Sequence, residues 1–159
     1  MIYDCFLYYD EDMLLDIRLN TLNDVVDYFV IVESTHTFTG KPKKLNFDIS
    51  KFEKFKDKII YVIYNDLPKL KNGIAGEYDA WKNEAATRNA IMRGLKNAKD
   101  NDIILISDVD EIFRPEVIKN INPKEGANKQ VISSQADSLI KISRIWADFF
   151  PANTSNQPV

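Results

Sequence analysis

The sequence DIILISDVDE, residues 102–111, joins a short apolar run to a cluster of acidic residues. The apolar part, Ile103 to Ile106, has the length and composition of a buried strand, and the acidic part begins at Asp108. The three neighbouring carboxylates, Asp108, Asp110 and Glu111, repel one another unless a cation or a basic group lies beside them. The stretch therefore predicts a strand that ends at a binding site.

Three further apolar runs precede this strand, over residues 2–9, 25–32 and 58–64. They are rich in β-branched and aromatic side chains, and nearly continuous apolar runs are typical of strands that are covered on both faces. Segments with helical spacing separate the runs, so the strands must be joined by crossover connections. The sequence therefore predicts an α/β fold with a mainly parallel sheet and helices on both faces.

The helices are predicted from the spacing of apolar residues and from capping signals. One helix follows the first strand, a short lysine-rich helix begins at Ser50 with capping-box spacing to Glu53, and a brief helix begins at Pro115. The longest candidate covers residues 77–99. Its apolar stripe, which we expect to face the core, consists of Tyr78, Trp81, Ala85, Met92 and Leu95.

Composition and charge limit the class of protein. The chain has 159 residues, 45% of them hydrophobic, with five glycines and six prolines, which is the profile of a soluble globular domain. The formal net charge of −3 argues against nucleic acid as a partner, because the domain would repel a phosphate backbone. The single cysteine, Cys5, is expected to be a buried, inert thiol. The N-terminal residues resemble neither a signal peptide nor a membrane span, so we expect a cytoplasmic protein without a membrane span.

Ligands of parallel α/β sheets bind beyond the carboxyl ends of the strands, where Asp108 and Asp110 are expected to lie. Mg²⁺ and Mn²⁺ prefer oxygen ligands and typically combine one or two carboxylates with substrate phosphates. A D-x-D at the end of a strand thus suits a bound metal nucleotide, and Glu111 is a third candidate ligand of the metal. The alternative is an acidic turn that caps the next helix, with Asp110 or Glu111 near its N-terminus.

Arg88 is unusual because helical spacing places its charge in the middle of the apolar stripe. A charged group at such a position requires a partner. One interpretation pairs Arg88 with Glu84, four residues earlier; the other brings it to the cluster at Asp108 or to a ligand diphosphate. The sequence contains a single histidine, His36, in a predicted loop, so a histidine-based metal site or a Ser-His-Asp triad could be assembled only around this one residue.

Four motifs, in this order, resemble glycosyltransferase family 17, the β-1,4-mannosyl-glycoprotein β-1,4-N-acetylglucosaminyltransferase family. They are IYDCF at 2–6, DYFVIVE at 27–33, TFTGKP at 37–42 and ISDVDEI at 106–112, the last followed by Arg114 and Pro115. The linked order of the motifs is far more specific than any one of them. The resemblance covers residues 1–121, which we expect to form a donor-binding domain.

The resemblance implies a GT-A (Rossmann-like) nucleotide-sugar-binding domain that transfers a sugar, expected to be N-acetylglucosamine, from a UDP-sugar donor to a glycan acceptor. It also implies a divalent metal, Mn²⁺ or Mg²⁺, and inversion at the anomeric carbon. Asp108 and Asp110 match the D-x-D that holds the metal and the donor diphosphate. Glu33 would face the nucleoside, whereas Lys41 and Arg88 would help to neutralise phosphate. No catalytic base can be named from these motifs.

Residues 122–159 depart from the family pattern. They predict a mostly apolar helix followed by a polar tail at 153–159. The apolar positions of that helix are Leu139, Ile142, Ile145, Trp146 and Phe149. We expect a domain that is truncated after the D-x-D, with the apolar face of this segment available to a protein partner or a second copy of the chain. The alternatives are a truncated, non-catalytic nucleotide-sugar-binding or interaction domain and a phosphohydrolase of the haloacid dehalogenase type, which also carries D-x-D after a hydrophobic strand.

Overall fold

The computed structural model describes residues 1–66 and 77–121, without the side chains of 77–79. Its centre is a four-stranded sheet in the order β3-β2-β1-β4, in which every neighbouring pair is parallel. The strands are β1 (Ile2–Leu7), β2 (Tyr28–Ser34), β3 (Ile59–Tyr64) and β4 (Ile103–Ile106). The predicted α/β fold with a mainly parallel sheet is confirmed. The helix and tail predicted within 122–159 lie outside the described residues.

Helical segments connect the strands and pack on the sheet. The α-helices are α1 (Asp12–Leu22), α2 (Glu77–Asn89) and α3 (Pro115–Lys119), and 3₁₀ helices cover Ile49–Phe55 and Ala90–Leu95. The second 3₁₀ helix continues α2 directly. Across the described ranges 1–66 and 77–121, we find no helix with the length and apolar character that a membrane crossing requires.

The cap of the first 3₁₀ helix differs from the predicted capping box. Asp48, not Ser50, is the N-cap residue. Its Oδ1 accepts hydrogen bonds from the Ser50 backbone N–H at 3.0 Å and from the Ser50 hydroxyl at 2.6 Å. A carboxylate accepts both bonds at once, and it thereby satisfies a backbone donor that the first turn leaves unpaired.

The core lies on both faces of the sheet because side chains alternate along each strand. Phe6 and Ile31 belong to a cluster with residues of α1 and of the 3₁₀ helix Ile49–Phe55. Cys5 and Val30 point to the opposite face and belong to a cluster with residues of Ala90–Leu95. Burial, together with the nearby charge of Asp4, raises the pKa of the Cys5 thiol to about 12. The thiol is therefore buried and protonated at neutral pH, as predicted.

β1 occupies the position at which the strand order reverses. The strands β1, β2 and β3 follow one another outward on one side, whereas β4 returns to pair with the other edge of β1. Cys5 accordingly lies opposite Val30 on β2 and opposite Ile106 on β4. Such a reversal is the switch point at which parallel sheets form a ligand crevice beyond the carboxyl ends of their strands. The fold therefore brings the residues after β1 and after β4 side by side.

The buried face of α2 is not the predicted one. Trp81 is 64% exposed, Met92 is 69% exposed, and Ala85 is also exposed, while Leu95 is partly buried as expected. Tyr78 lies where no side chain is described. The buried side chains are instead Asn83, Thr87, Ala90 and Ile91, together with Gly94.

The polar residues of this helix explain the error. Asn83 and Thr87 are polar residues at buried positions, and a hydrophobic pattern does not register them. Together with Ala90, Ile91 and Gly94 they share one face of a single helical wheel, away from the stripe through Trp81 and Met92. The apolar pattern therefore selected the wrong face of the helix.

Gly94 supplies a direct test of this packing, because a Cβ atom at this position would collide with the Cγ atoms of Val30. Val30 is fully buried on β2 and is stiff at χ1, so it has little room to move. We expect Gly94→Ala to lower the free energy of unfolding by about 1–3 kcal/mol, despite the better helix propensity of alanine. Urea unfolding of the full chain measures the change.

Met92→Ala is the matched control on the same 3₁₀ helix. Its side chain is exposed, so truncation is expected to change the stability by less than about 0.5 kcal/mol. The reverse result, with a large loss for Met92→Ala and none for Gly94→Ala, would show that the predicted stripe faces the core after all.

Candidate functional site

A cavity of about 580 Å³ lies at the carboxyl ends of β1, β2 and β4. This is the edge of the sheet at which a ligand site is predicted, and the volume falls in the range of roughly 300–1,000 Å³ that is usual for small-molecule sites. The wall is formed by residues after β1, the segment after β2, one side of α2 and the turn after β4. Its charged lining residues are Glu11, Lys43, Glu84, Arg88, Asp108 and Asp110.

The turn after β4 presents two aspartates to this cavity. Asp108 and Asp110 are both exposed and both line it, whereas Val109 between them is buried. Glu111 points back to the chain: its Oε2 accepts the Asp108 N–H at 3.0 Å, and its own N–H donates to the Asp108 carbonyl at 3.0 Å. The alternative of a helix-capping acidic turn is wrong, because Arg114 is the N-cap residue of α3.

Arg18 supports the turn after β4 from the interior of the protein. The side chain is fully buried, and its Nε and Nη2 donate to the two carboxylate oxygens of Asp4 on β1, at 2.8 and 2.7 Å. Nη2 also donates to the Ser107 hydroxyl at 2.7 Å. Nη1 donates to three backbone carbonyls, those of Asp108 (2.7 Å), Val109 (3.2 Å) and Glu111 (3.0 Å). Because the carbonyls point inward to Arg18, the turn is fixed with Asp108 and Asp110 on its outer side.

The role of Arg18 is absent from the sequence-based predictions. Its spacing within α1 places it among apolar residues, as at Arg88, but its partners are distant in the chain. The guanidinium also lies 4.4 Å above the centre of the Phe6 ring, which adds a cation–π contact. The sequence did contain a signal for this role, because Arg18 is a lone basic residue among the apolar positions of α1.

Arg88 contacts both of the protein partners that the sequence offers as alternatives. Its Nη2 donates to Glu84 Oε1 at 3.1 Å and to Asp108 Oδ1 at 3.0 Å. The side chain is 42% exposed and lines the cavity. Because the stripe around Arg88 is exposed, the guanidinium charge does not have to be buried in the core. Arg88 instead serves as a counter-ion for the acidic turn.

The carboxylate oxygens of the turn after β4 suit a divalent metal that is also bound by substrate phosphates. Within residues 1–66 and 77–121, no group of three or more His, Cys, Asp or Glu side chains is arranged to hold a metal ion. Asp108 and Asp110 nevertheless bring carboxylate oxygens to the same cavity, and Mg²⁺ and Mn²⁺ commonly use one or two carboxylates with substrate phosphates. The two aspartates fit that mode, whereas Glu111 is engaged with the backbone of Asp108. Metal binding by these residues stays a prediction.

Glu33, at the end of β2, is fully buried behind the cavity wall. Its carboxylate accepts hydrogen bonds from Lys43 Nζ (2.7 Å) and the Tyr61 hydroxyl (2.7 Å), and from the backbone N–H groups of Asn46 (2.6 Å) and Phe47 (3.0 Å). Burial alone would raise the pKa of Glu33, but these bonds outweigh it and hold the pKa below its ordinary value. In the structure Glu33 orders the segment 43–47; its contact with a nucleoside stays a prediction.

Lys43, two residues beyond the predicted Lys41, lines the cavity. Its ammonium group donates to Glu33 and to the Lys44 carbonyl, and it lies 5.1 Å from the centre of the Tyr9 ring. Lys41 is exposed and contacts Thr37 through its backbone, in a turn that contains Gly40 at φ 85°. A phosphate contact by Lys41 stays a prediction.

Asn83 joins the two walls of the cavity. Its Nδ2 donates to the carbonyl of Phe38 at 2.7 Å, and the Thr87 hydroxyl donates to the carbonyl of Asn83 at 2.7 Å. Phe38 and Thr87 both line the cavity. Among the buried side-chain polar atoms that the structure describes, Asn83 Oδ1 alone lacks a hydrogen-bond partner. Asn83 therefore fixes the segment after β2 against α2.

Comparisons with known proteins agree with one another. A family model described as Glycosyltransferase family 17 matches residues 1–133. Proteins named β-1,4-mannosyl-glycoprotein 4-β-N-acetylglucosaminyltransferase from Homo sapiens and Rattus norvegicus are each 34% identical over 107 residues, and the Mus musculus protein is 33% identical. These matches cover 62% of this chain and 19% of each relative, so the chain spans about a fifth of their length. No solved structure matches the chain significantly.

Replacing Arg18 is expected to destabilise the fold strongly. Arg18→Met leaves the Asp4 carboxylate buried without a counter-ion, and we expect a loss of about 3–5 kcal/mol in the free energy of unfolding. A second substitution, Asp4→Asn, is expected to recover part of this loss because it removes the uncompensated charge. Lys51→Met, which breaks an exposed pair with Asp12, is the control and is expected to cost far less, because exposed ion pairs contribute little to stability. Urea unfolding that gives Arg18→Met no greater loss than the control would contradict the assignment.

Glu33 is expected to make the stability depend on pH in a defined direction. Its folded pKa lies below the unfolded value of about 4.3, so its contribution is complete above that pH and is lost as the pH falls through the folded pKa. Glu33→Gln should therefore be less stable than the wild type at pH 7, and the difference should shrink below about pH 4.3. Tyr61→Phe removes one of the donors and should give a smaller loss at pH 7. Urea midpoints between pH 7 and pH 3 test this, and a difference that stays constant with pH would be inconsistent with it.

Proposed function

The chain belongs to glycosyltransferase family 17, and from this premise we propose that it binds a UDP-sugar, UDP-N-acetylglucosamine, for transfer of the sugar to a glycan acceptor. The matched residues, 1–133, contain every described residue that lines the cavity. The names of the similar proteins supply the sugar and the type of acceptor. The family match also argues against the phosphohydrolase alternative.

The observation that carries the proposal is the grouping of Asp108, Asp110 and Arg88 around one cavity at the switch point of the sheet. Within one site, the two carboxylates supply oxygen ligands for a cation, and the guanidinium supplies hydrogen-bond donors for phosphate oxygens. A nucleotide sugar carries a diphosphate that needs both. The partly exposed aromatic rings of Tyr9 and Phe38 add apolar lining for the flat parts of such a ligand.

Each residue has a defined part in this proposal. Asp108 and Asp110 would hold Mn²⁺ or Mg²⁺, which, when bound, supplies positive charge that stabilises the departing UDP. Arg88 would donate N–H groups to the diphosphate. Arg18 keeps the two aspartates in place before any ligand arrives. Because these groups are preorganised, they would need little rearrangement as negative charge develops on the leaving group.

The cheapest test is the binding of UDP to the full chain by calorimetry, with and without Mn²⁺. We expect UDP to bind more tightly when Mn²⁺ is present, and Asp110→Asn to weaken the metal-dependent binding at least tenfold, or about 1.4 kcal/mol. Asp57→Asn, an exposed aspartate outside the cavity, is the matched control and should bind as the wild type does.

Two results would decide against the proposal. If the wild-type chain does not bind UDP in the presence of Mn²⁺, it lacks the donor site. If Asp110→Asn leaves UDP binding unchanged, UDP binds outside the site that contains Asp110. Incubation with labelled UDP-N-acetylglucosamine and a β-mannosyl glycan then separates transfer from binding alone. UDP binding without transfer would favour the alternative of a non-catalytic nucleotide-sugar-binding domain.

A further inference from the structure

Trp81 is a large aromatic side chain that the fold leaves in solvent. Its side chain is 64% exposed, although tryptophan is highly buried on average in folded proteins. Ala85, one turn further along α2, is exposed as well, whereas Asn83 between them is buried. The hydrophobic core therefore makes no use of the Trp81 ring.

The contacts of α2 and of the 3₁₀ helix that continues it show where Trp81 lies relative to the cavity. Gly94 packs against the middle of β2, Arg88 bonds to the turn after β4, and Asn83 bonds to the segment after β2. Toward the N-terminus of α2, the helix therefore extends from the middle of the sheet to its carboxyl edge and beyond. Trp81 precedes Asn83 by two residues, so it lies on the solvent side of the cavity mouth.

Trp81 also shares a side of α2 with residues that line the cavity. Residues three, four and seven positions apart lie on one face of an α-helix, so Glu84 and Arg88 continue the row that begins at Trp81. Both of them line the cavity, and both are partly exposed. At about 1.5 Å per residue, Trp81 is about 10 Å from Arg88 along the helix axis, a distance that a short oligosaccharide spans.

The size and the surroundings of the exposed ring favour a sugar over a protein as its partner. A tryptophan side chain buries about 150–250 Å², whereas a stable protein interface needs about 800 Å² from each partner. Toward the cavity, the row continues with the charged side chains of Glu84 and Arg88. An aromatic ring beside a carboxylate matches a pyranose, because the ring packs on the C–H face of the sugar and the carboxylate accepts hydrogen bonds from its hydroxyl groups.

We propose that Trp81 and Glu84 form a subsite for the acceptor glycan at the mouth of the cavity. A pyranose ring packs its C–H face on the indole of Trp81, and its hydroxyl groups donate hydrogen bonds to the Glu84 carboxylate. This inference rests on the proposed function, because a donor sugar held within the cavity must meet its acceptor at the mouth. It adds to that function the side chains that position the acceptor.

The test is calorimetric titration of the full chain with a soluble β-mannosyl oligosaccharide, in the presence of saturating UDP and Mn²⁺. We expect Trp81→Ala to weaken the binding of the oligosaccharide about fivefold or more, because it removes the aromatic contact, and to leave the affinity for UDP unchanged. Trp81→Phe keeps an aromatic ring, so its affinity for the oligosaccharide should stay within about twofold of the wild type. Because the ring is exposed, neither substitution is expected to change the midpoint of urea unfolding.

Met92→Ala is the matched control. Met92 is 69% exposed, lies in the 3₁₀ helix that continues α2, and is outside the cavity lining. This variant should bind UDP and the oligosaccharide as the wild type does.

Tryptophan fluorescence supplies a second measurement, because a sugar that covers the indole removes it from water. The oligosaccharide should shift the emission of the wild type to shorter wavelength. The same addition should leave the emission of Trp81→Phe unchanged, since that variant retains only Trp146 as a tryptophan.

The outcomes separate this inference from the proposed function. If the wild type binds UDP but not the oligosaccharide, or if Trp81→Ala binds the oligosaccharide as tightly as the wild type, the inference is wrong and the donor site stands. If Trp81→Ala weakens the binding of UDP and of the oligosaccharide equally, Trp81 does not form a separate acceptor subsite.

If the wild type does not bind UDP, the proposed function fails, and the same titration without nucleotide decides the inference. Oligosaccharide binding that Trp81→Ala weakens and Met92→Ala does not would then support the subsite. Equal binding by the two variants, or no binding by the wild type, would overturn it.

Discussion

The buried guanidinium of Arg18 is the interaction on which the site depends. It bonds to a carboxylate of β1, to the hydroxyl that follows β4, and to the backbone of the turn beyond it. A buried arginine is costly unless its charge is paired and its N–H groups are satisfied, and here Asp4 meets the first need and the inward carbonyls meet the second. The acidic turn therefore obtains its shape from a residue of the first helix, not from local turn chemistry alone.

The charges around the cavity form two layers. The inner layer consists of the fully buried pair Asp4–Arg18 and of Glu33, whose oxygens are taken up by hydrogen bonds within the chain. The outer layer consists of the exposed Asp108 and the half-exposed Arg88, which are accessible to solvent. Buried groups with complete hydrogen bonding resist change, whereas exposed ion pairs exchange partners at low cost. The arrangement thus joins a rigid support to a surface that can accept a ligand.

The sequence predicts the sheet and the position of the cavity well, because both depend on local patterns. Four apolar runs separated by helices require a parallel sheet, and its carboxyl edge follows from that topology. The pairing of Arg88 with Glu84 and Asp108 was likewise among the stated alternatives. The stripe through Trp81 and Met92 was wrong because polar Asn83 and Thr87 occupy the buried positions. The roles of Arg18 and Lys43 depend on contacts between distant segments, which no local pattern reports.

The position of β1 between β2 and β4 makes the site depend on a contact between distant parts of the chain. One edge of β1 pairs with a strand close to it in the chain, whereas the other edge pairs with Ile103–Ile106. Pairing of such distant segments closes a long loop at an entropic cost. Without β4 in place, the chain lacks both the carbonyls that receive Arg18 and the aspartates that line the cavity. Damage to this one strand edge would therefore remove the acidic turn and its support together.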